Sequence, residues 1–438
     1  MLKKILNKLP ISALIFSLVL CLASCKEKEP EVEADRDFVS ELKLDMNSES
    51  LKQEATVKLY VDGDTTHFIV PSSVIPGGIL EARYLAINTP ESTGKIEEWG
   101  KRASRFTKET LEQAVSIIVE SDDTNWNLDS TGGRYLVWVW YKTSEDGDYR
   151  NLNLEILQNG LAYGSNAGQN RYGEICVAAM NQARKNKLYV YSGEKDPDFY
   201  YGTAIELTLK ELRLNVKDYV GMKVAFEGNV VRNHSNTIYL EDYDEETGLY
   251  FGISVYLGYG LNGEGQAIVN VGNRSRIVGT VQYYEAGQTY QVSGLQYRAI
   301  KPNDPDNIQL VKTGVEAGNP LFRLDEFFDN TVEFVDEENG TVKTMKYCEA
   351  MMSTSIRMEG LYVKSSRVSE SQSSSNVSLL LTCEADGKTI TIKAEVVYND
   401  DGSINYSAYQ GETIDIVGVV DYYGGNYQVR VFSNNDIE

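Results

Sequence analysis

Short runs in which apolar and polar residues alternate recur along most of this chain, as expected for strands with one wet face. Residues 56–61 and 65–70 are two such runs, and Asp62-Gly63-Asp64 between them is a hairpin signal. A third strand is predicted over 79–87. The period then changes. Ala103, Phe106, Leu111, Ala114 and Val115 fall on one helical face over 98–115, with Lys101, Arg102, Arg105, Lys108 and Glu109 elsewhere. Residues 117–120 and 135–141 are two more strands. The second, YLVWVWY, is apolar on both faces and therefore central. Leu152, Ile156 and Leu157 mark a short helix that Asn159-Gly160 stops, and 171–188 supplies a last helix with Arg184, Lys185 and Lys187 towards its end.

Five strands closing on three helices predict an α+β first domain, an OB-like five-stranded barrel, over residues 55–192. After a junction, the remaining half of the chain is strand and turn only, in two sets, 204–312 and 318–438. Both end alike. VGTVQYY at 278–284 followed by Tyr290-Gln291-Val292 matches VGVVDYY at 417–423 followed by Tyr427-Gln428-Val429. Both also carry an early strand running into Glu-Gly, at 227–228 and 359–360. This is an internal repeat, read as two further OB-like β-barrels, so the fold class is mainly β. KPNDPDN at 301–307 reads as a linker, and the Ser-rich stretch 365–375 as a flexible loop.

The first residues carry Lys3, Lys4 and Lys8, then an apolar run over 11–22, then Leu22-Ala23-Ser24-Cys25. A basic region, a short apolar region and small residues before a cysteine describe a lipoprotein signal peptide over 1–24, with Cys25 acylated. Residues 25–54, charged and poor in aromatics, are expected to be a flexible tether. The expected location is extracytoplasmic, at the cell surface, with the N-terminal lipid as the membrane partner.

The formal charge of −22 argues against a broad electrostatic platform for nucleic acid. Only two histidines occur, His67 and His234, which disfavours His-ligated zinc and a Ser-His-Asp triad. Acid–base chemistry then falls to carboxylates. Cys348 and Cys383 could pair or remain buried thiols.

The polar positions of the first domain converge on LEARYLAINTPE at 80–91. It offers a guanidinium at Arg83, an amide at Asn88, a carbonyl at Thr89 and a carboxylate at Glu91, with Asp62 and Asp64 upstream and Arg134 downstream. Each residue has a plainer reading. Asp62 and Asp64 suit a turn, Arg83 could pair with Glu81 or Glu98, Glu91 could cap a helix, and Arg134 could form a barrel-end ion pair. As a set they suit phosphodiester hydrolysis. A hard cation held by oxygens neutralises phosphate, guanidinium forks match its oxygens, and a carboxylate accepts the proton of water.

DGDT at 62–65, Arg83, NTPE at 88–91, WGKRAS at 99–104, Gly133-Arg134 and NGLA at 159–162, in that order, resemble the staphylococcal (thermonuclease-type) nuclease family. The resemblance implies metal ligands at Asp64, Asn88 and the Thr89 carbonyl, with Ca²⁺ as the cation. It implies Glu91 on the attacking water, and Arg83 and Arg134 on the phosphate. It further implies hydrolysis of DNA and RNA leaving 3′-phosphate ends. Two departures stand out. Asn88 replaces the usual Asp, which removes one negative charge and predicts weaker cation binding unless Asp62 or the substrate phosphate compensates. Gly132 stands where a base-stacking Tyr can precede the Gly-Arg, leaving Tyr135, Tyr163 or Tyr172 for that role. The two later sets resemble nucleic-acid-binding OB modules, with spacers or protein-binding modules as the alternative. A nucleic-acid-binding surface lipoprotein with an impaired nuclease domain is the alternative for the whole chain, and a surface adhesion or scaffold lipoprotein is a third.

Overall fold

Burial decides where the folded part begins. Phe38 and Val39, in helix α1 (Phe38–Glu41), are 3% and 1% exposed and belong to the first domain's core. The expected tether over 25–54 is therefore corrected: from Phe38 onward the chain is packed, with Leu42 and Leu44 joining Phe38 and Val39 against the core. The computed structural model describes residues 35–258, 261, 263–285, 287–335, 342–370 and 377–438. Phe38–Glu438 form one unit. The predicted leader, Cys25 and the tether up to residue 34 lie outside the described residues. No described helix is long and apolar enough to cross a membrane.

The first domain runs through β1 (Lys52–Glu54), β2 (Thr56–Asp62), β3 (Thr65–Ile69), β4 (Ile79–Tyr84), β5 (Ile87–Asn88), α2 (Gly100–Glu112), β6 (Ser116–Glu120), β7 (Tyr135–Lys142), β8 (Arg150–Asn151), α3 (Leu152–Gln158), β9 (Tyr163–Gly164) and α4 (Gly173–Lys185). The main sheet has the order β1-β6-β7-β4-β3-β2. Only Ala55 separates β1 from β2, and its N–H donates to the Ile117 carbonyl at 3.0 Å. One stretch of chain thus touches β6 with its first part and β3 with its second, joining the two edges of the sheet. β7 lies centrally as expected, with Trp138 and Trp140 fully buried. Asn151 caps α3 by accepting the Leu154 N–H, and Gly160, at φ +68°, ends it.

The strand expected over 79–87 is two. It breaks after Tyr84 because Ala86 adopts φ +68°, a conformation alanine rarely takes. Beyond the break, β5 leaves the main sheet and pairs with β9, Asn88 opposite Tyr163. This re-aims the polar residues from Asn88 onward.

The rest comprises β10 (Ile205–Glu206), α5 (Leu209–Leu214), β11 (Lys223–His234), β12 (Thr237–Asp244), β13 (Leu249–Tyr256), α6 (Gly263–Ile268), β14 (Asn273–Tyr284), β15 (Thr289–Ser293) and β16 (Gln309–Thr313). Then follow α7 (Leu324–Asp329), β17 (Thr331–Val335), β18 (Val342–Lys346), α8 (Tyr347–Ala350), β19 (Ser355–Glu370), β20 (Val377–Ala385), β21 (Lys388–Ala394), β22 (Thr413–Tyr423) and β23 (Asn426–Arg430). In the first set β11, β12, β13, β15 and β14 pair in turn, and β14 returns to β11. In the second, β19, β20, β21, β23 and β22 form a closed barrel in the same order. Both have a parallel pair between third and fifth strands. The repeated Tyr residues are cross-strand partners in both: Tyr283 with Tyr290 and Tyr422 with Tyr427, ring centroids 5.1 and 5.0 Å apart.

One hydrophobic cluster runs through both sets, from Leu209 to Val431. Two buried charges sit where they meet. Arg213 donates to the Gly252 and Met352 carbonyls, at 2.6 and 3.3 Å. Glu241, fully buried, accepts the N–H groups of Gly318 and Ser355 at 2.8 and 2.7 Å. Cys348 and Cys383 are free, buried thiols, so of the two sequence alternatives the unpaired one holds. The Ser-rich stretch read as a loop is strand β19 as far as Glu370, and 371–375 lie outside the described residues.

Candidate active site

The hairpin turn between β2 and β3 carries Asp62 and Asp64 inward, 7% and 1% exposed. Such burial needs partners. Asp64 accepts the Thr89 N–H at 2.8 Å and the Thr65 hydroxyl at 3.0 Å, and it forms an ion pair with Arg83. Asp62 accepts the Gly63 N–H and the Ser92 hydroxyl, both at 2.7 Å. Gly63 is required by the close approach: a Cβ there would lie 2.8 Å from Cγ2 of Thr89.

Arg83, on β4, points back over the turn. Besides Asp64 it donates to Oδ1 of Asn88 at 2.5 Å. Asp64 and Asn88 therefore present their oxygens to a single position of positive charge. Burial, and next the charge of Arg134, lower the Arg83 pKa, so a second guanidinium stands near the first. Arg134 is itself held by Asp129, through Nε at 2.8 Å and a second nitrogen at 2.7 Å. Burial opposes ionisation of Asp129, but the Thr131 hydroxyl and Arg134 outweigh it and hold the carboxyl at about 2.

Glu91 begins a loop that returns on itself. Its carbonyl accepts the Glu97 N–H at 2.8 Å, and its own N–H donates to Glu97 Oε2 at 3.2 Å. Gly100 closes the neck; a Cβ there would lie 2.2 Å from the Glu91 carbonyl oxygen. The Glu91 carboxyl lies close to that of Asp62. Partial desolvation first, and then this like-charged neighbour, push it up to about 7, with Arg83 acting in the opposite sense. A carboxyl near 7 can take and return a proton at neutral pH.

Asp64, Arg83, Asn88, Thr89, Glu91 and Arg134 are thus brought to one corner, while Cys25 lies outside the described residues. Of the three tyrosines offered for stacking, Tyr172 is committed to the interior, against Trp138 and Trp140 and bonded to Glu120. Tyr163, 46% exposed and paired with Asn88, stands at the site. Residues 81–192 match the family model described as staphylococcal nuclease homologue. The chain carries a staphylococcal nuclease domain. The match includes Arg83, Asn88, Thr89, Glu91 and Arg134, and Asp62 and Asp64 precede its first residue. A nuclease-type domain implies a nucleic acid substrate.

Sequence reasoning undervalued Asp62, which it treated as a turn residue or a spare ligand. It missed Ser92 and Glu97, which fix Asp62 and Glu91. The spacing of a second carboxylate two residues from Asp64 is the one signal that pointed there.

Among the described residues no group of three or more His, Cys, Asp or Glu is arranged to hold a metal ion. The donors that converge are instead one carboxylate and one amide, Asp64 and Asn88, next to the main chain of Thr89. These are hard oxygen donors, and both side chains already face one cationic group. Thr89 Oγ1, in addition, is buried without a hydrogen-bond partner among the described residues. Oxygen donors of this kind are the ones a hard cation takes.

Proposed function

We propose that the chain is a lipid-anchored, extracytoplasmic nuclease that hydrolyses phosphodiester bonds of DNA and RNA. The observation that carries this reading is the convergence of two guanidinium groups and an ionisable carboxyl, Arg83, Arg134 and Glu91, on one corner of a staphylococcal nuclease domain. Arg83 and Arg134 bind phosphate and stabilise the charge that develops on it. Glu91 takes the proton of the attacking water, and Asp62 sets its affinity for that proton. Asp64, Asn88 and the Thr89 carbonyl would hold a calcium-type cation, which when bound would neutralise phosphate charge. Arg83 would then exchange its bonds to Asp64 and Asn88 for phosphate. Acylation at Cys25 supplies the anchor. The two five-stranded rings serve as OB-like modules that hold substrate, with exposed Tyr283 and Tyr284 available for stacking.

A second reading is favoured by one observation: the Arg83 guanidinium is already engaged by Asp64 and Asn88. In that reading the domain binds nucleic acid and does not cut it. Residues 26–438 incubated with single- and double-stranded DNA, with calcium or chelator, separate the two. Calcium-dependent cutting that Glu91→Ala abolishes supports the nuclease, and binding without cutting supports the second reading.

A further inference from the structure

The loop from Glu91 to Glu98 is unusual in its support. None of its eight residues is buried, so no hydrophobic contact of its own anchors it to the nuclease core. Its neck is closed by Glu97 and Gly100, and Asp62 holds Ser92. Its tip is held from elsewhere. The Gly94 carbonyl accepts from Nε2 of Gln282 at 2.9 Å and from the Ser293 hydroxyl at 2.8 Å, and the Gly94 N–H donates to Oε1 of Gln282 at 3.3 Å. Gln282 and Ser293 belong to β14 and β15 of the first ring, and are 7% and 0% exposed. Gly294, next to Ser293, lets the two chains touch: a Cβ there would lie 3.1 Å from the Gly94 carbonyl oxygen. A second tie runs alongside, from Lys108 on α2 to Glu285 at 2.8 Å.

The internal repeat provides a comparison within the molecule. Aligned on VGTVQYY and VGVVDYY, the positions of Gln282, Ser293 and Gly294 are occupied in the second ring by Asp421, Arg430 and Val431. Asp421 cannot donate to a carbonyl. Arg430 reaches Tyr239, and Val431 is buried. The three residues that grip Gly94 are therefore ones in which the copies differ, although the flanking Tyr pairs are the same. The scaffold did not require this set.

We propose that the first ring is a working part of the nuclease site: Gln282 and Ser293 are positioning residues that pin Gly94 and so fix where the loop presents Glu91. The proposal rests on Glu91 acting as the base. A mobile loop would present its carboxylate in many orientations, and misplacement of about 1 Å can cost roughly a hundredfold in rate. Three hydrogen bonds at the loop tip select one.

The test uses the full chain carrying Gln282→Met and Ser293→Ala together, with a short single-stranded oligonucleotide and calcium. The expected result is a tenfold or greater fall in kcat with KM nearly unchanged. Ser293→Thr, which keeps the hydroxyl, should retain more than half the activity that Ser293→Ala loses. In a Glu91→Ala background the double substitution should cost nothing further, because its effect passes through Glu91. Amide hydrogen exchange over 92–97 is measured in parallel and should quicken at least tenfold in the double variant. Unchanged exchange overturns the proposal whether or not the chain cuts nucleic acid, and so does a loss of kcat that adds fully to that of Glu91→Ala. A wild-type chain that shows no cutting refutes the nuclease reading and this proposal's catalytic half, while exchange still reports whether the grip exists.

Discussion

Arg83 donates to the amide oxygen of Asn88 at 2.5 Å while paired with the buried carboxylate of Asp64. A guanidinium occupies the shared focus of these two oxygens, and binding a metal there requires it to leave. An additional carboxylate would attract the metal more strongly. Asn88→Asp should lower the calcium concentration for half-maximal cutting roughly tenfold, since affinity follows the count of charged ligands. A titration giving the same midpoint for both proteins would show that position 88 does not touch the cation.

Arg134 is presented rigidly by Asp129. Arg134→Ala should reduce kcat roughly a hundredfold or more, and Arg134→Lys should recover little, because an ammonium cannot grip phosphate with two parallel bonds. Asp129→Ala should show a smaller fall, confined to the orienting effect. Steady-state rates on one oligonucleotide decide the order, and an Asp129 variant worse than the Arg134 variants would reverse the assignment.

Gly100 leaves no room for a side chain beneath the Glu91 carbonyl, at 2.2 Å from a would-be Cβ. Gly100→Ala should therefore displace the backbone that carries Glu91. Cutting should be lost far out of proportion to a stability change of about 1–3 kcal/mol. Full activity with a lowered melting temperature would mean that the neck does not govern Glu91.

Glu241 gives the fold a pH dependence of definite sign. Desolvation first, only partly offset by the Gly318 and Ser355 N–H groups, pushes its carboxyl up to about 7 from an ordinary 4.5. The folded state holds the proton more tightly, so stability falls as pH rises from about 4.5 to about 7 and levels off above. The change from this residue is on the order of 3 kcal/mol. Glu241→Gln should be less stable near pH 5 and lack that slope. Urea melts at pH 5, 6, 7 and 8 would expose a slope that survives the substitution and rule Glu241 out as its source.

The three described thiols are buried, and burial pushes Cys348 up to about 11 and Cys383 up to about 12. Melting should be the same with and without reductant, and thiol reagent should reach Cys176, Cys348 and Cys383 only after denaturation. A reductant-dependent melt would reveal a bridge.

Much of the site was legible because its chemistry lies in short contiguous pieces. Asp62 to Thr65 form one hairpin turn and Asn88 to Glu91 leave the end of one short strand, and their residue types constrain what they can do. The repeat was legible through residues that pack the same way twice, such as Tyr283 and Tyr422. What stayed hidden depends on contacts far apart in sequence or on backbone without a residue signal. Nothing about an alanine announces the left-handed turn at Ala86, which splits the expected strand and aims Asn88. Phe38 and Val39 sit in a charged stretch, and only the pocket they fill shows that they are ordered. Gly94 and Gln282 are 188 residues apart, beyond any periodicity argument.

The continuous hydrophobic cluster from Leu209 to Val431, with Arg213 and Glu241 buried where the copies meet, bears on the history of the molecule. A duplicated unit ordinarily stays free to be lost, shuffled or copied again. Here each copy has become part of the other's interior. Excising either would lay bare apolar surface, and excising the second would take from Glu241 both of its N–H partners. Descendants of this chain are thus constrained to keep both copies or neither, and recombination breakpoints should be scarce between them.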